Sequence, residues 1–140
     1  MSVSFTLYTD GGARGNPGPG AIGAVLKDAN GETVYEASKY IGPSTNNEAE
    51  YKAIIHGLEI AKEKEPAELK CYLDSELVVK QLNGEYKVKN EKLKVLFDQV
   101  KKLQFEITGV SFNHILRKKN KEADKLVNTA LDSHERQHGT

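Results

Sequence analysis

Apolar and polar residues alternate from residue 3 to 9, with Val3, Phe5 and Leu7 set against Ser4, Thr6 and Tyr8. That is the period of a strand with one face buried. The strand is expected to stop at Asp10-Gly11-Gly12, because GGARGNPGPG (11–20) is dense in residues that favour turns. AIGAVLKD (21–28) and ETVYEASKYI (32–41) read as two further strands, joined through Asp28-Ala29-Asn30-Gly31 into an antiparallel hairpin and closed by Gly42-Pro43. From Asn46 the period changes. Ala49, Ala53, Ile54, Leu58 and Ala61 recur at intervals of three and four, which predicts an amphipathic helix to about Lys64, with Pro66 beyond it.

LKCYLD (69–74) is a short apolar strand, and Ser75 suits the N-cap of a helix whose inner face is Leu77, Val78 and Leu82, before Asn83-Gly84. Asn90 suits the cap of another helix running through Leu93, Leu96, Val100 and Leu103. QFEITGVSFNHIL (104–116) then reads as the fifth strand, with a bulge at Gly109. A last helix starts near Asn120 and presents Ala123, Leu126, Val127, Ala130 and Leu131 on one side; the polar SHERQHGT beyond is expected to fray. Strands joined by short turns pair antiparallel, whereas strands separated by a helical crossover pair parallel and right-handed. The expected fold is therefore α/β: a mixed five-stranded sheet, three antiparallel strands then two parallel, with helices on both faces. One domain is expected over 1–132, followed by a polar C-terminal tail over 133–140.

Composition narrows the class. A chain of 140 residues with 38% hydrophobic and 29% charged side chains has the apolar content of a single globular domain, not of a disordered segment. No apolar run reaches the roughly 18 residues of a membrane span, and MSVSFTLYTD lacks the marks of a secretory leader, so a cytoplasmic location without membrane contact is expected. The single cysteine, Cys71, lies among apolar neighbours and reads as packing. Twenty basic and twenty acidic side chains cancel, so any binding of nucleic acid has to be local.

Asp10 and Asp74 each stand two residues after a tyrosine at the end of a predicted strand. If the two strands are parallel neighbours, both carboxylates reach the carboxyl edge of the sheet, where open α/β folds bind ligands. Taken singly, each also suits a turn or a helix cap. Glu48 and Glu50 fall in the first turn of the long helix and Asp124 in the first turn of the last one, where acids stabilise the helix dipole. Spacing does not choose between the two glutamates. Carboxylates gathered at one edge repel unless hard cations neutralise them, and Mg²⁺ or Mn²⁺ prefers such oxygen ligands.

Four blocks, TDGGARGNPGPGAIG (9–23), STNNEAEY (44–51), YLDSELVV (72–79) and NHILRKKNKEADKLVNTAL (113–131), resemble the type 1 ribonuclease H family in content, order and interval. The resemblance implies an endonuclease that hydrolyses the RNA strand of RNA–DNA hybrids. It selects Glu50, three residues after the second asparagine of Thr-Asn-Asn, and names Asp10, Glu50, Asp74 and Asp124 as catalytic, metal-binding carboxylates; Glu48 becomes an exposed bystander. Two Mg²⁺ or Mn²⁺ ions about 4 Å apart would then activate water and stabilise the leaving 3′-oxygen, giving 5′-phosphate and 3′-hydroxyl ends.

The same resemblance implies an auxiliary role for His114, ten residues before Asp124, although a structural histidine also suits a strand end. Arg117 is a second auxiliary candidate, as a charge for the phosphate or as a solvated loop residue. Hybrid contacts are implied at Gly11, Gly12, Asn16, Thr45, Asn46 and Arg117, where polar groups can read a 2′-hydroxyl. Glu76 departs from the family pattern, which often has glutamine there. The long basic, tryptophan-bearing insertion of many bacterial members is replaced by GEYKVKNEKLK (84–94). No obligatory protein partner and a monomeric state are expected. A non-catalytic relative, or a nuclease or phosphatase of the same broad fold with another substrate, are the competing readings.

Overall fold

In the computed structural model, which describes residues 3–138, the chain runs β1 (Ser4–Ala13), β2 (Gly18–Lys27), β3 (Thr33–Ser44), α1 (Asn46–Glu63), β4 (Glu68–Leu73), α2 (Glu76–Leu82), α3 (Glu91–Glu106), β5 (Val110–His114), a 3-10 turn (Arg117–Lys119) and α4 (Lys121–His138). The sheet order is β3-β2-β1-β4-β5. β1–β2 and β2–β3 are antiparallel, while β1–β4 and β4–β5 are parallel. This is the expected mixed sheet.

The two sheet faces are filled differently. On one, α1 lays Tyr51, Ile54, Leu58 and Ala61 against Phe5, Leu7, Leu69 and Cys71, and Val78, Leu82, Val100 and Phe112 extend this main core. Burial of these apolar side chains is the principal stabilising term of the fold. On the other face α4 packs a smaller cluster, Val127, Ala130 and Leu131, onto Ala21 of β2. No helix among the described residues is long and apolar enough to cross a membrane.

Several boundaries differ from the sequence reading. β1 does not stop at Asp10-Gly11-Gly12: the ladder with β2 continues through Asp10↔Gly23, Gly11↔Ile22, Gly12↔Ala21 and Ala13↔Gly20. Pairing overrides the weak strand propensity of glycine there. β3 likewise runs through Gly42-Pro43 to Ser44. Gln104–Glu106 belong to α3, not to the fifth strand. Gly109, with φ +66°, turns the chain ahead of β5 rather than forming a bulge, and a β-carbon there would stand 2.6 Å from the Ala67 carbonyl oxygen. In α2 the inner face is Val78, Val79 and Leu82, and Leu77 is exposed.

The segment after Leu131 remains helical to His138, while Gly139 and Thr140 lie outside the described residues. Partners elsewhere hold it: the Arg14 guanidinium lies 2.7 Å from Asp132 Oδ1 and 2.7 Å from Glu135 Oε1, and Tyr40 stacks on His134.

Candidate active site

The β1–β4 register sets Tyr8 opposite Tyr72, with the two rings stacked at 5.3 Å. Asp10 and Asp74, two residues on, therefore leave the same edge of the sheet. α1, packed against β1, delivers Glu50. It can approach because Gly11 has no side chain: a β-carbon there would overlap the Ala49 carbonyl. The Gly11 amide donates to Asp10 Oδ1 (3.0 Å) and Glu50 Oε1 (2.8 Å), joining strand to helix at the site.

Asp10, Glu50 and Asp74 each offer one oxygen, and these oxygens lie within 4.8 Å of one another. Asp10 and Glu50 are buried. Burial, with the Asp74 and Asp124 charges adding, pushes the Asp10 carboxyl up to about 7. Burial and the hydrogen bond shared with Asp10 hold the Glu50 carboxyl well above the ordinary carboxylate range. Glu50 Oε2 is buried without a hydrogen-bond partner. An oxygen-only donor set, crowded enough to resist ionisation and with an acceptor left open, fits a hard divalent cation.

A pocket of about 380 Å³ opens on this cluster, and Asp124, Arg117, Arg14 and Asn128 also line it. Asp124 thus shares the site but stands outside the tight triad, on the wall formed by α4. Its Oδ1 is 3.6 Å from Arg117 Nη2. His114 is exposed at the end of β5 and is not among the lining residues. Of the two auxiliary candidates, Arg117 is the one beside the acids.

The remaining candidates form the rim. Asn46 Oδ1 accepts from the Ala13 amide (2.9 Å), and the Asn46 amide donates to Asn16 Oδ1 (3.0 Å), fixing the glycine-rich turn on α1. Thr45 is the N-cap of α1 in a reciprocal capping box with Glu48. Glu48 is consequently half-buried and structurally engaged, not the exposed bystander expected. Gly12 lines the pocket, whereas Glu76 is exposed, 3.7 Å from Lys80 Nζ.

One residue of the site escaped the sequence reading. Asn120 is buried, and its Nδ2 donates to the Thr9 carbonyl and to Asp74 Oδ2, both at 2.9 Å. It anchors the Asp74 carboxylate to β1 from the start of α4. In the sequence Asn120 marks only where the last helix starts, and partners 46 and 111 residues away leave no local signal.

A meander continued by two parallel strands, with acids from β1, α1 and β4 gathered at one sheet edge, defines a ribonuclease H-like protein. Comparison with known proteins agrees. Residues 8–130 match the family model described as reverse transcriptase-like. A bifunctional protein of Mycobacterium tuberculosis is 42% identical over 132 residues, covering 94% of this chain and 36% of that protein. Ribonuclease HI of Halobacterium salinarum is 40% identical over 125 residues, 89% of this chain and 63% of that protein. The chain therefore spans less than two thirds of either of these curated relatives. LC11 ribonuclease H1, solved in complex with an RNA/DNA hybrid, is 45% identical over 93% of this chain and 98% of that one, with a TM-score of 0.89. The chain belongs to the type 1 ribonuclease H family.

Proposed function

We propose that this chain is an endonuclease that hydrolyses the RNA strand of RNA–DNA hybrids, leaving 5′-phosphate and 3′-hydroxyl ends. The observation that carries the reading is the buried triad Asp10, Glu50 and Asp74 with Glu50 Oε2 unpartnered, in a family with a member solved on a hybrid. These three residues, with Asp124 on the adjoining wall, would hold two Mg²⁺ or Mn²⁺ ions. Bound there, the metal supplies Lewis acidity toward the phosphate and a water acidified enough to attack it.

The chain's own groups do the remaining work. The Gly11 amide and Asn120 fix the carboxylate oxygens before any ligand arrives, which lowers the ordering needed on binding. A cation held there would favour the ionised forms of the Asp10 and Glu50 carboxylates. Arg117, solvent-exposed beside Asp124, would meet phosphate oxygens. Asn46 and Asn47 line both the acid pocket and a neighbouring groove of about 770 Å³ bounded by Asn16, Thr45 and Lys92. A duplex laid across this rim would present its minor-groove 2′-hydroxyls to the asparagines.

Cleavage of an end-labelled RNA–DNA hybrid with Mg²⁺ or Mn²⁺, comparing the wild type with Asp74→Asn and including single-stranded RNA and all-RNA duplex, tests the reading. Metal-dependent cutting confined to hybrid RNA and absent from Asp74→Asn is the expected result. Binding without cutting under either metal, or preferential cutting of a control substrate, would overturn it.

A further inference from the structure

The last two turns of α4 carry His134-Glu135-Arg136-Gln137-His138. Two histidines four residues apart, with glutamate after the first, have the spacing by which helical zinc sites grip their metal, because it sets both imidazoles on one helix face. Here the rings do lie together, with centroids 4.6 Å apart and planes inclined by 35°. The pair is separate from the acid site: His134 lies ten residues, about 15 Å of helix, beyond Asp124.

Four further features make this face receptive to a cation. Tyr40 of β3 stacks on His134 at 3.8 Å with planes 8° apart; face stacking orients the ring and leaves the edge nitrogens available. Among the described residues, the side-chain hydrogen bond that engages an imidazole is at His56, with Tyr35. A cavity of about 510 Å³ lies in front of the pair, lined by Tyr40, Ser133, His134, Gln137 and His138, with room for water to complete a coordination shell. The pair also sits at the C-terminal end of a helix, where unpaired carbonyls give a partial negative charge.

Glu135 does not complete a hydrolytic centre. Its Oε1 is 2.7 Å from Arg14 Nη1, so the carboxylate is committed to an ion pair with the β1–β2 turn. We propose that His134 and His138 form a binding site for Zn²⁺, independent of the carboxylate site, that clips together the last turn of α4. Imidazole favours zinc and its transition-metal neighbours, whereas Mg²⁺ and Mn²⁺ select oxygen donors.

Titration calorimetry of Zn²⁺ into the whole chain in excess Mg²⁺, which competes for the carboxylates and not for imidazole, tests this. The wild type should bind one zinc equivalent. His138→Gln, which leaves the Tyr40–His134 stack in place, should weaken that binding about tenfold or more, and Glu135→Gln should bind as the wild type does. Zinc should also slow amide exchange in the last turn of α4 in the wild type and not in His138→Gln, whose far-UV spectrum without zinc verifies its fold. Zinc binding that is absent, that survives both His134→Ala and His138→Gln, or that disappears in Asp74→Asn would overturn the proposal.

Discussion

Replacing Asp10 with asparagine should remove hybrid cleavage and at the same time stabilise the metal-free protein. The triad oxygens lie within 4.8 Å of one another, and two full charges at that separation repel by about 3.5 kcal/mol at an effective dielectric constant near 20. The position of the Asp10 carboxyl gives a second measure. Its rise from 3.8 to about 7 means that the fold disfavours the ionised form by about 4 kcal/mol. Asparagine keeps the oxygen that accepts from the Gly11 amide and removes the charge, but buries an amide that needs its own partners. A net gain of about 2 kcal/mol is therefore expected, equivalent to about 7 °C in melting temperature for a chain of this size.

The sign with pH follows from proton binding. Between 3.8 and about 7 the folded protein binds more protons at Asp10 than the unfolded chain does, so metal-free wild type loses stability as pH rises through that window. Asp10→Asn lacks this contribution. Thermal melts with a chelator should thus show the full gap near pH 8 and little of it near pH 4. Saturating Mg²⁺ should narrow or reverse the gap, because it stabilises the wild type by mass action. A variant that melts at or below the wild-type temperature near pH 8 without metal would refute the crowding argument.

Three other perturbations separate positioning from packing. Asn120→Ala strips the Thr9 carbonyl and Asp74 Oδ2 of their shared donor; it should lower stability by about 2 kcal/mol and reduce kcat about tenfold with little change in KM, as steady-state kinetics on hybrid would show. Tyr51→Phe removes the buried 2.6 Å bond from the Tyr51 hydroxyl to Gln81 Oε1, which ties α1 to α2; denaturant unfolding should register a loss of about 1–2 kcal/mol with kcat unchanged. Gly11→Ala forces α1 away from β1 at the Ala49 carbonyl; calorimetry should show a melting temperature lower by about 10 °C, and activity should fall with it.

The elements that repeat a period were legible in the sequence, and so was whatever a period fixes. The helical crossover between the first strand and LKCYLD led to the parallel pairing that the Tyr8↔Tyr72 register realises, and the aspartate two residues after each tyrosine led from it to Asp10 and Asp74 at one edge. Glu48 and Glu50 differ by two residues on one helix, and periodicity alone left them equal. The structure separates them by partner: Glu48 turns back to the Thr45 amide, while Glu50 meets the Gly11 amide of a strand 39 residues away. Asn120 was opaque for the same reason, its partners lying 46 and 111 residues distant. So was the end of α4, whose polar residues carry no apolar period and are held instead by Arg14 and Tyr40.

His114 and Arg117 mark where counting fails altogether. A sheet register converts sequence offset into distance, since each step along a strand is a fixed rise and pairing locks the neighbours. The link from β5 to α4 has no such metric. His114 ends the strand opposite Leu73, one position short of Asp74 in sequence, yet faces solvent. Arg117 is further along the chain, but the 3-10 turn it begins folds back toward α4 and brings its guanidinium to 3.6 Å from Asp124. Ten residues of spacing therefore said nothing about reach. The residue that lies beside the acids is the one whose local turn, rather than whose offset, points it there.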